Sequence, residues 1–450
     1  MTELRDRRVT VIGLGESGLA ATRVLAAAGA RVRVSEQRAV EDLGGAAEAA
    51  ETAGAEVMAG GHAQEHLDDA ELLVLSPGVP EGSEVISWAT ARGLPIWSEL
   101  ELGARIARCP YVAITGTNGK TTTTRLVAEA MTRAGMDAIA CGNVGYPFSL
   151  AATEGHDALA VEASSFQLRF HETFHPTVSA LLNVAEDHTD WHGSREAYVE
   201  AKRRIYLRQA GDDVHVGNRD EPIAASVSRD APCRVTWFSS GAPEEGEAGY
   251  EDGELLWREA SGTRSLGRPR VETPPHRANA AAAAAVALSF GVDAGSVAAA
   301  IQETAPPAHR GETVATIGGV AYVDDSKATN PHAALATIRG YREAVLICGG
   351  RSKGVDLAPM AEAIPHVAGV VVLGEATAEL EALFRDRIPV RVAESIEQAV
   401  LSASEMVLPG RAVVLAPGCS SWDMFRDYAE RGERFAAAVR ELEREGATDG

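Results

Sequence analysis

Aromatic side chains are scarce: Phe, Trp and Tyr together make up 5% of the 450 residues. The cores must then be filled by Ala, Val, Leu and Ile, which suits layered helices and sheets better than a β-sandwich. Positive charge is also in deficit, with 42 Lys and Arg against 64 Asp and Glu and a formal charge of −22. That balance argues against nucleic acid and against an anionic membrane as partners. The five cysteines, Cys109, Cys141, Cys233, Cys348 and Cys419, show no CxxC or other ligand spacing. They fit neither a disulfide framework nor a structural zinc site, and a reducing compartment is the simplest reading. The longest apolar run, Ala280–Leu288, is mostly alanine and far short of the roughly 20 residues that span a bilayer. The opening MTELRDRRVTVIGLGESG has no signal-peptide core. A cytoplasmic protein is expected.

What is present is an α/β pattern. At roughly 150 residues per domain the length suggests about three domains. Short β-branched runs (VTVIG, RVRV, LLVLSPG) alternate with Ala-rich stretches over the first hundred residues, as in a parallel sheet with crossover helices. A second series begins at YVAITGTNGKTTTT and continues through ALAVEAS and TVSALLNV, and a third comprises GGVAYVDDS, AVLICGG, GVVVLG and AVVLAPG. Proline-containing CPYV and TAPPAHRG mark the junctions, giving expected domains 1–108, 109–305 and 306–450. The Gly- and Glu-rich stretch between Ser239 and Arg270 reads as a hairpin or loop excursion of the middle domain.

Two glycine loops carry chemistry. Gly13, Gly15 and Gly18 form GLGESG after the strand VTVI, and Glu36 closes the next strand. This is the dinucleotide fingerprint, in which backbone amides at a helix N-terminus meet a pyrophosphate and an acid meets a ribose. The pattern by itself fits NAD, or any other nucleoside diphosphate. The second loop, TGTNGKTTTT, runs from Thr115 to Thr124. Ile114 stands where GxxxxGK[ST] has its first glycine, so Gly116 opens a shorter variant. Amides from Gly116 through Thr117, Asn118, Gly119, Lys120 and Thr121 can surround phosphates, Lys120 adds a cation, and the Thr121 hydroxyl suits Mg²⁺. Hydride transfer needs no ATP, so two such loops point to an enzyme that activates a second, nucleotide-bearing molecule.

With VEASSFQL, NVAEDHTDWH and DDSKATN beside TGTNGKTT, essentially the whole chain resembles the Mur ligase family, the ATP-dependent amide ligases of peptidoglycan precursor synthesis. SSFQL and DDSKATN resemble its D-glutamate-adding branch. The resemblance implies an N-terminal Rossmann-like domain, a central P-loop ATPase-type parallel sheet and a C-terminal Rossmann-like domain. It implies ATP, UDP-N-acetylmuramoyl-L-alanine and D-glutamate as substrates, two Mg²⁺ ions, no NAD, and a monomer. Gly15, Glu16, Ser17, Glu36, Arg38, Ser76, Pro77, Gly78 and Asn143 would then bind the UDP-sugar. Thr122, Asn279, Arg310 and Asp325 would join the phosphate loop around ATP, with His309 beside Arg310.

The same resemblance makes Glu162, His188 and Lys202 metal ligands with Thr121, Lys202 being carbamylated. Read without it, Glu162 is a candidate for a buried salt bridge, His188 for a surface histidine and Lys202 for an exposed lysine. Lys120, His188, Lys202 and Arg310 become the catalytic set, and Asp187 a candidate to orient His188. Lys327, Thr329, Lys353, Ser421 and Tyr428 are implied to hold D-glutamate. Tyr428 stands where the family carries Phe.

Overall fold

A computed structural model of the chain describes residues 2–143, 145–187 and 189–448. The expected β-branched runs form strands in three sheets. The first sheet contains β1 (Arg8–Ile12), β2 (Arg31–Ser35), β3 (Glu56–Met58), β4 (Leu72–Leu75) and β5 (Ile96–Ser98), all parallel in the order β3-β2-β1-β4-β5. The second contains β6 (Tyr111–Thr115), β7 (Ala138–Gly142), β8 (Ala158–Glu162), β9 (Val178–Leu181), β10 (Val214–Asn218) and β11 (Arg234–Phe238). The stretch after Ser239 extends this sheet instead of leaving it. Its strands β12 (Glu247–Glu251), β13 (Glu254–Glu259) and β14 (Gly262–Gly267) are antiparallel to one another, and β12 pairs with β11. The order is β14-β13-β12-β11-β10-β9-β6-β8-β7.

The third sheet contains β15 (Glu312–Ile317), β16 (Val320–Asp324), β17 (Ala344–Gly349), β18 (Val367–Leu373), β19 (Val390–Val392) and β20 (Ala412–Leu415), ordered β15-β16-β20-β17-β18-β19. Only β15 runs antiparallel to its neighbour. In each sheet the central strands are parallel neighbours, so the loops leaving their carboxyl ends gather along one edge. Ligands of open α/β sheets bind at such edges.

The chain forms two compact units. One runs through Val184, resumes to Arg270 and takes in Ala278–Thr304; the other takes in Ala185–Asp187, Val271–Arg277 and the chain from Ala305. Within the first unit a single apolar cluster extends from Val9, Val11 and Val34 through Trp97 and Leu100 to Tyr111, Phe148 and Phe174. Three of the scarce aromatics meet here: the Tyr111 ring lies 5.2 Å from Phe148 and 5.3 Å from Phe174. Glu101, fully buried, accepts from the amides of Glu172, Thr173 and Phe174 at 2.9, 2.9 and 3.2 Å and pairs with Arg105 at 2.7 Å. Burial opposes its charge, but these bonds outweigh burial and hold the carboxyl below its ordinary value.

The alanine run lies in the helix Pro274–Phe290, with Ala280–Ala287 buried on every side. The second unit has its own core on both faces of its sheet, including Leu346, Val370 and Val414 on one face and Val345, Val371 and Phe435 on the other. All five cysteines are free thiols. No helix among the described residues is long and apolar enough to cross a membrane.

Candidate nucleotide and amino-acid sites

At the edge of the first sheet, GLGESG follows β1, Glu36–Arg38 follows β2 and Ser76–Gly78 follows β4, and the sheet order makes these three strands neighbours. Gly13 has φ +84°, and a Cβ at Gly18 would lie 2.0 Å from the Gly13 carbonyl oxygen and 2.6 Å from Ser76 Oγ. Ser76 Oγ donates to the same carbonyl at 3.1 Å. The third glycine is therefore required for close packing of helix on strand. Gly15 and Glu16 are exposed and Ser17 is half-buried at the start of the helix Glu16–Ala27, and a Cβ at Gly15 would meet nothing within 4 Å.

Glu36 is buried and turns inward, accepting from the Leu14 amide at 2.5 Å and from the Arg38 amide at 2.9 Å. Arg38 Nε donates to the same carboxylate at 3.1 Å. Burial resists this charge, but the bonds from Arg38 and Leu14 prevail and its pKa is lowered. The acid expected at a ribose also ties the loop to the segment after β2. Ser76 and Pro77 line a narrow cleft with Phe166, Gln167 and Trp191. The rings of Phe166 and Trp191 lie tilted at 43° with centroids 4.5 Å apart, and Trp191 Nε1 donates to the Val79 carbonyl at 3.1 Å.

At the edge of the second sheet, the phosphate loop follows β6, Glu162 ends β8 and NVAEDH follows β9, with β9, β6 and β8 adjacent. Gly119, at φ +86°, is the N-cap of the helix Lys120–Arg133 and has no side chain of its own to cap the first turn. Asn279 sits directly against it: a Cβ on Gly119 would lie 2.2 Å from Asn279 Oδ1. Asn183, which the sequence did not single out, fixes the other half of the loop. Its backbone carbonyl accepts from the Thr117 amide at 3.0 Å and its Oδ1 from the Asn118 amide at 2.8 Å. These two amides, expected around phosphate, are thus engaged by Asn183.

Lys120 Nζ donates to the carbonyls of Gly116 and Thr117 at 2.8 and 2.9 Å. Lys202 Nζ donates to Gly116 at 2.8 Å and lies 4.5 Å from the Tyr198 ring centroid. Lys202 is only 1% exposed, so its reading as a surface lysine is overturned. Glu162 is buried, pairs in register with Ile114, and accepts from Asn143 Nδ2 at 3.0 Å. Asn143, implied at the sugar or diphosphate, is therefore also a partner of Glu162. Thr121 is half-buried in the first helical turn and Thr122 is buried.

His188 lies outside the described residues, among which no group of three His, Cys, Asp or Glu stands ready to hold a metal. The carboxylate of Glu162 and the hydroxyl of Thr121 are hard oxygen donors and fit Mg²⁺ beside phosphate. Lys202 as an ammonium does not fit a cation; a carbamate would.

In the second unit the loops after β16, β20 and β17, again neighbours, are joined by hydrogen bonds. Arg351 and Ser420 exchange backbone bonds at 3.0 Å each, and Gly418 donates to Ala328 at 2.9 Å. Arg431 connects the remaining pieces. This guanidinium is 2% exposed and donates to Ser326 Oγ, Ser326 O and Cys419 O at 3.0, 2.8 and 3.2 Å. Burial pushes its pKa down to about 10. Nothing in the local sequence distinguishes it from the other arginines of the helix Tyr428–Thr448.

His309, at φ +60°, bonds Asp324 Oδ2 through Nδ1 at 2.7 Å. Arg310 lies close enough to His276 that burial together with its charge pushes that imidazole down to about 4. Asp325 is buried, accepts from the Thr337 hydroxyl, and is pushed up to about 6, chiefly by burial. Asp187 accepts from Asn330 Nδ2 at 3.2 Å. Lys327 Nζ stands 3.9 Å from the Tyr428 ring centroid and Lys353 Nζ 4.3 Å from that of Trp422. Ser421 is buried beside Trp422, and Thr329 is half-buried in the loop after β16. The structure thus gathers Lys327, Thr329, Lys353, Ser421 and Tyr428 on connected loops at one sheet edge.

A parallel sheet with a glycine–lysine–threonine loop at a helix N-terminus defines a phosphate-loop nucleotide enzyme. The Mur ligase middle domain matches residues 114–258, the N-terminal domain of MurD-like Mur ligases matches 7–98, and the Mur ligase glutamate ligase domain matches 309–419. The chain is 42% identical to the UDP-N-acetylmuramoylalanine–D-glutamate ligase of Frankia casuarinae, over 97% of this chain and 94% of that protein. It is 37% identical to the ligase of the same name from Pelotomaculum thermopropionicum, over 99% and 100%. Among solved structures, MurF of Thermotoga maritima in complex with ADP superposes with a TM-score of 0.61 at 17% identity, covering all of both chains. A pseudomurein peptide ligase type C from Methanothermus fervidus gives 0.62 at 16% identity, over 97% of this chain and 100% of that one. The chain belongs to the Mur ligase family.

Proposed function

We infer that this chain is an ATP-dependent ligase that adds D-glutamate to UDP-N-acetylmuramoyl-L-alanine in peptidoglycan precursor synthesis, releasing ADP and phosphate. The observation that carries this reading is identity of 42% and 37%, over 97% and 99% of the chain, to ligases bearing that name. The loop geometry supports it, because a lysine, a glycine N-cap and a buried carboxylate meet at one sheet edge, as transfer of a γ-phosphoryl group needs.

In the reaction, the terminal carboxylate of the UDP-sugar attacks the γ-phosphorus of ATP, the bond to the ADP oxygen breaks, and an acyl phosphate forms. The amine of D-glutamate attacks the acyl carbon, loses its proton, and phosphate leaves as the amide closes. No protein nucleophile is required; the chain supplies position and charge. Lys120, the amides of Gly119–Thr121 and Arg310 hold phosphate oxygens, with Thr122, Asn279 and Asp325 around the rest of ATP. Thr121, Glu162, His188 and a carbamylated Lys202 would hold Mg²⁺, two ions in this reading, which would neutralise phosphate charge. Gly15 to Ser17, Glu36, Arg38, Ser76 to Gly78 and Asn143 bind the UDP-sugar, Glu36 also shaping the loop. Lys327, Thr329, Lys353, Ser421 and Tyr428 receive D-glutamate. The functional domains are 1–108, 109–305 and 306–450, in a cytoplasmic monomer without NAD.

Phosphate release from ATP, measured with UDP-N-acetylmuramoyl-L-alanine and each of D-glutamate, L-glutamate, L-alanine and diaminopimelate, tests the assignment. Turnover selective for D-glutamate is expected. Equal turnover with another amino acid would overturn it.

A further inference from the structure

Lys353 is held in an unusual way. Among the described residues no carboxylate stands within ion-pair distance of it; its ammonium lies 4.3 Å from the ring centroid of Trp422. Of the acids on these loops, Glu375 forms a two-pronged pair with Arg351 at 2.9 and 2.6 Å and Asp356 Oδ1 accepts from the Ala358 amide at 2.9 Å. Asp423 Oδ2 accepts from the Glu375 amide at 2.8 Å, and its Oδ1 is buried without a hydrogen bond. The backbone of Lys353 has φ +56°, a left-handed conformation that costs a residue with a Cβ about 1 kcal/mol or more and tends to occur where function requires it. Trp422 is 61% exposed, although its neighbour Ser421 is 2% exposed and Phe425 is 8% exposed. The indole therefore contributes little to the core. The paired backbone bonds between Arg351 and Ser420 fix the spacing of the two loops that carry lysine and ring.

An aromatic face orients an ammonium without cancelling its charge or occupying all its donors. A carboxylate in the same place would neutralise Lys353 and repel an incoming diacid. We propose that Trp422 is a positioning residue that presents Lys353 to a carboxylate of the amino-acid substrate. Lys327, on the loop after β16, lies 3.9 Å from the ring centroid of Tyr428, a second lysine over an aromatic face at the same sheet edge. The inference rests on the reading that Lys353 belongs to the D-glutamate site and names a residue which that reading did not include.

The test is steady-state kinetics on the full-length enzyme, with D-glutamate varied at saturating ATP and UDP-N-acetylmuramoyl-L-alanine. Trp422→Ala is expected to raise KM for D-glutamate roughly two- to fivefold, the worth of an exposed cation–π contact, with kcat, KM for ATP and Tm unchanged. Trp422→Phe should restore most of the loss. In a Lys353→Met background, Trp422→Ala should add nothing, because the contact is already gone. If Lys353→Met raises KM for D-glutamate and Trp422→Ala does not, the role of Trp422 is overturned while the amino-acid site stands. If neither variant changes KM for D-glutamate, the site assignment is wrong and the inference falls with it.

Discussion

The ammonium of Lys202 donates to the carbonyl of Gly116 at 2.8 Å, across 86 positions of sequence. A helix residue thereby reaches the first glycine of the phosphate loop, where the Lys120 ammonium meets the same carbonyl. Two cations on one carbonyl create a site that favours converting one of them to an anion. Intact mass recorded in bicarbonate is expected to show one added CO₂, lost in Lys202→Met. That variant should lower kcat roughly 100-fold or more, as loss of a transition-state charge partner does. Full activity of Lys202→Met without bicarbonate would remove the residue from the mechanism.

Lys120 is the loop's own cation. Replacing it with Ala should cut phosphate release by about 10²- to 10³-fold while leaving the UDP-sugar affinity largely intact, since all the residues assigned to that substrate but Asn143 stand at the first sheet. Calorimetric titration of the UDP-sugar alongside the rate assay distinguishes loss of chemistry from loss of fold.

The glycines of GLGESG separate folding from binding. Gly18→Ala drives a methyl to 2.0 Å from the Gly13 carbonyl and should destabilise by about 1–3 kcal/mol, the usual cost of overpacking. Gly15→Ala meets only open space, so its Tm should hold while KM for the UDP-sugar rises. Equal loss of Tm in both variants would contradict this division.

Asp325 links stability to pH. Its carboxyl, ordinarily near 3.8, is pushed up to about 6 by burial. Between those values the folded chain binds more protons than the unfolded one, so stability falls as pH rises through the window, by up to ~1.4 kcal/mol per pH unit. Urea denaturation across this range should give a flatter profile for Asp325→Asn than for the parent. An unchanged slope would assign the effect to another group.

Tyr428 is expected to act through its ring, over which Lys327 lies at 3.9 Å. Tyr428→Phe should leave KM for D-glutamate unchanged and Tyr428→Leu should raise it roughly two- to fivefold. A loss in the Phe variant would point instead to the hydroxyl.

Much of this was legible in the sequence because strands and glycine loops are local. VTVI, YVAI and ALAVE carry apolar residues that suit a central parallel strand whatever surrounds them, and they form β1, β6 and β8. The short strands β3, β5 and β19 carry too few residues to stand out from their flanks. The stretch after Ser239 yielded only a hairpin or a loop, because whether such strands extend a sheet depends on the edge that β11 leaves open. The bonds of Glu36 to the Leu14 and Arg38 amides are invisible in the sequence, and Lys202 reads as exposed until its helix is packed against the phosphate loop.

The sequence by itself determined the local chemistry of each segment: which loops can receive phosphate, which carry cations, and which side chains are apolar enough to form the strands behind them. Only the tertiary structure decided which loops become neighbours. Strand order is a property of the folded sheet, and it places β9, β6 and β8 side by side, and β16, β20 and β17 likewise, although β16 and β20 are far apart in the chain. Asn183, Trp422 and Arg431 acquire their roles at that level, since each role is a contact with a distant segment, and neither spacing nor composition encodes such a contact.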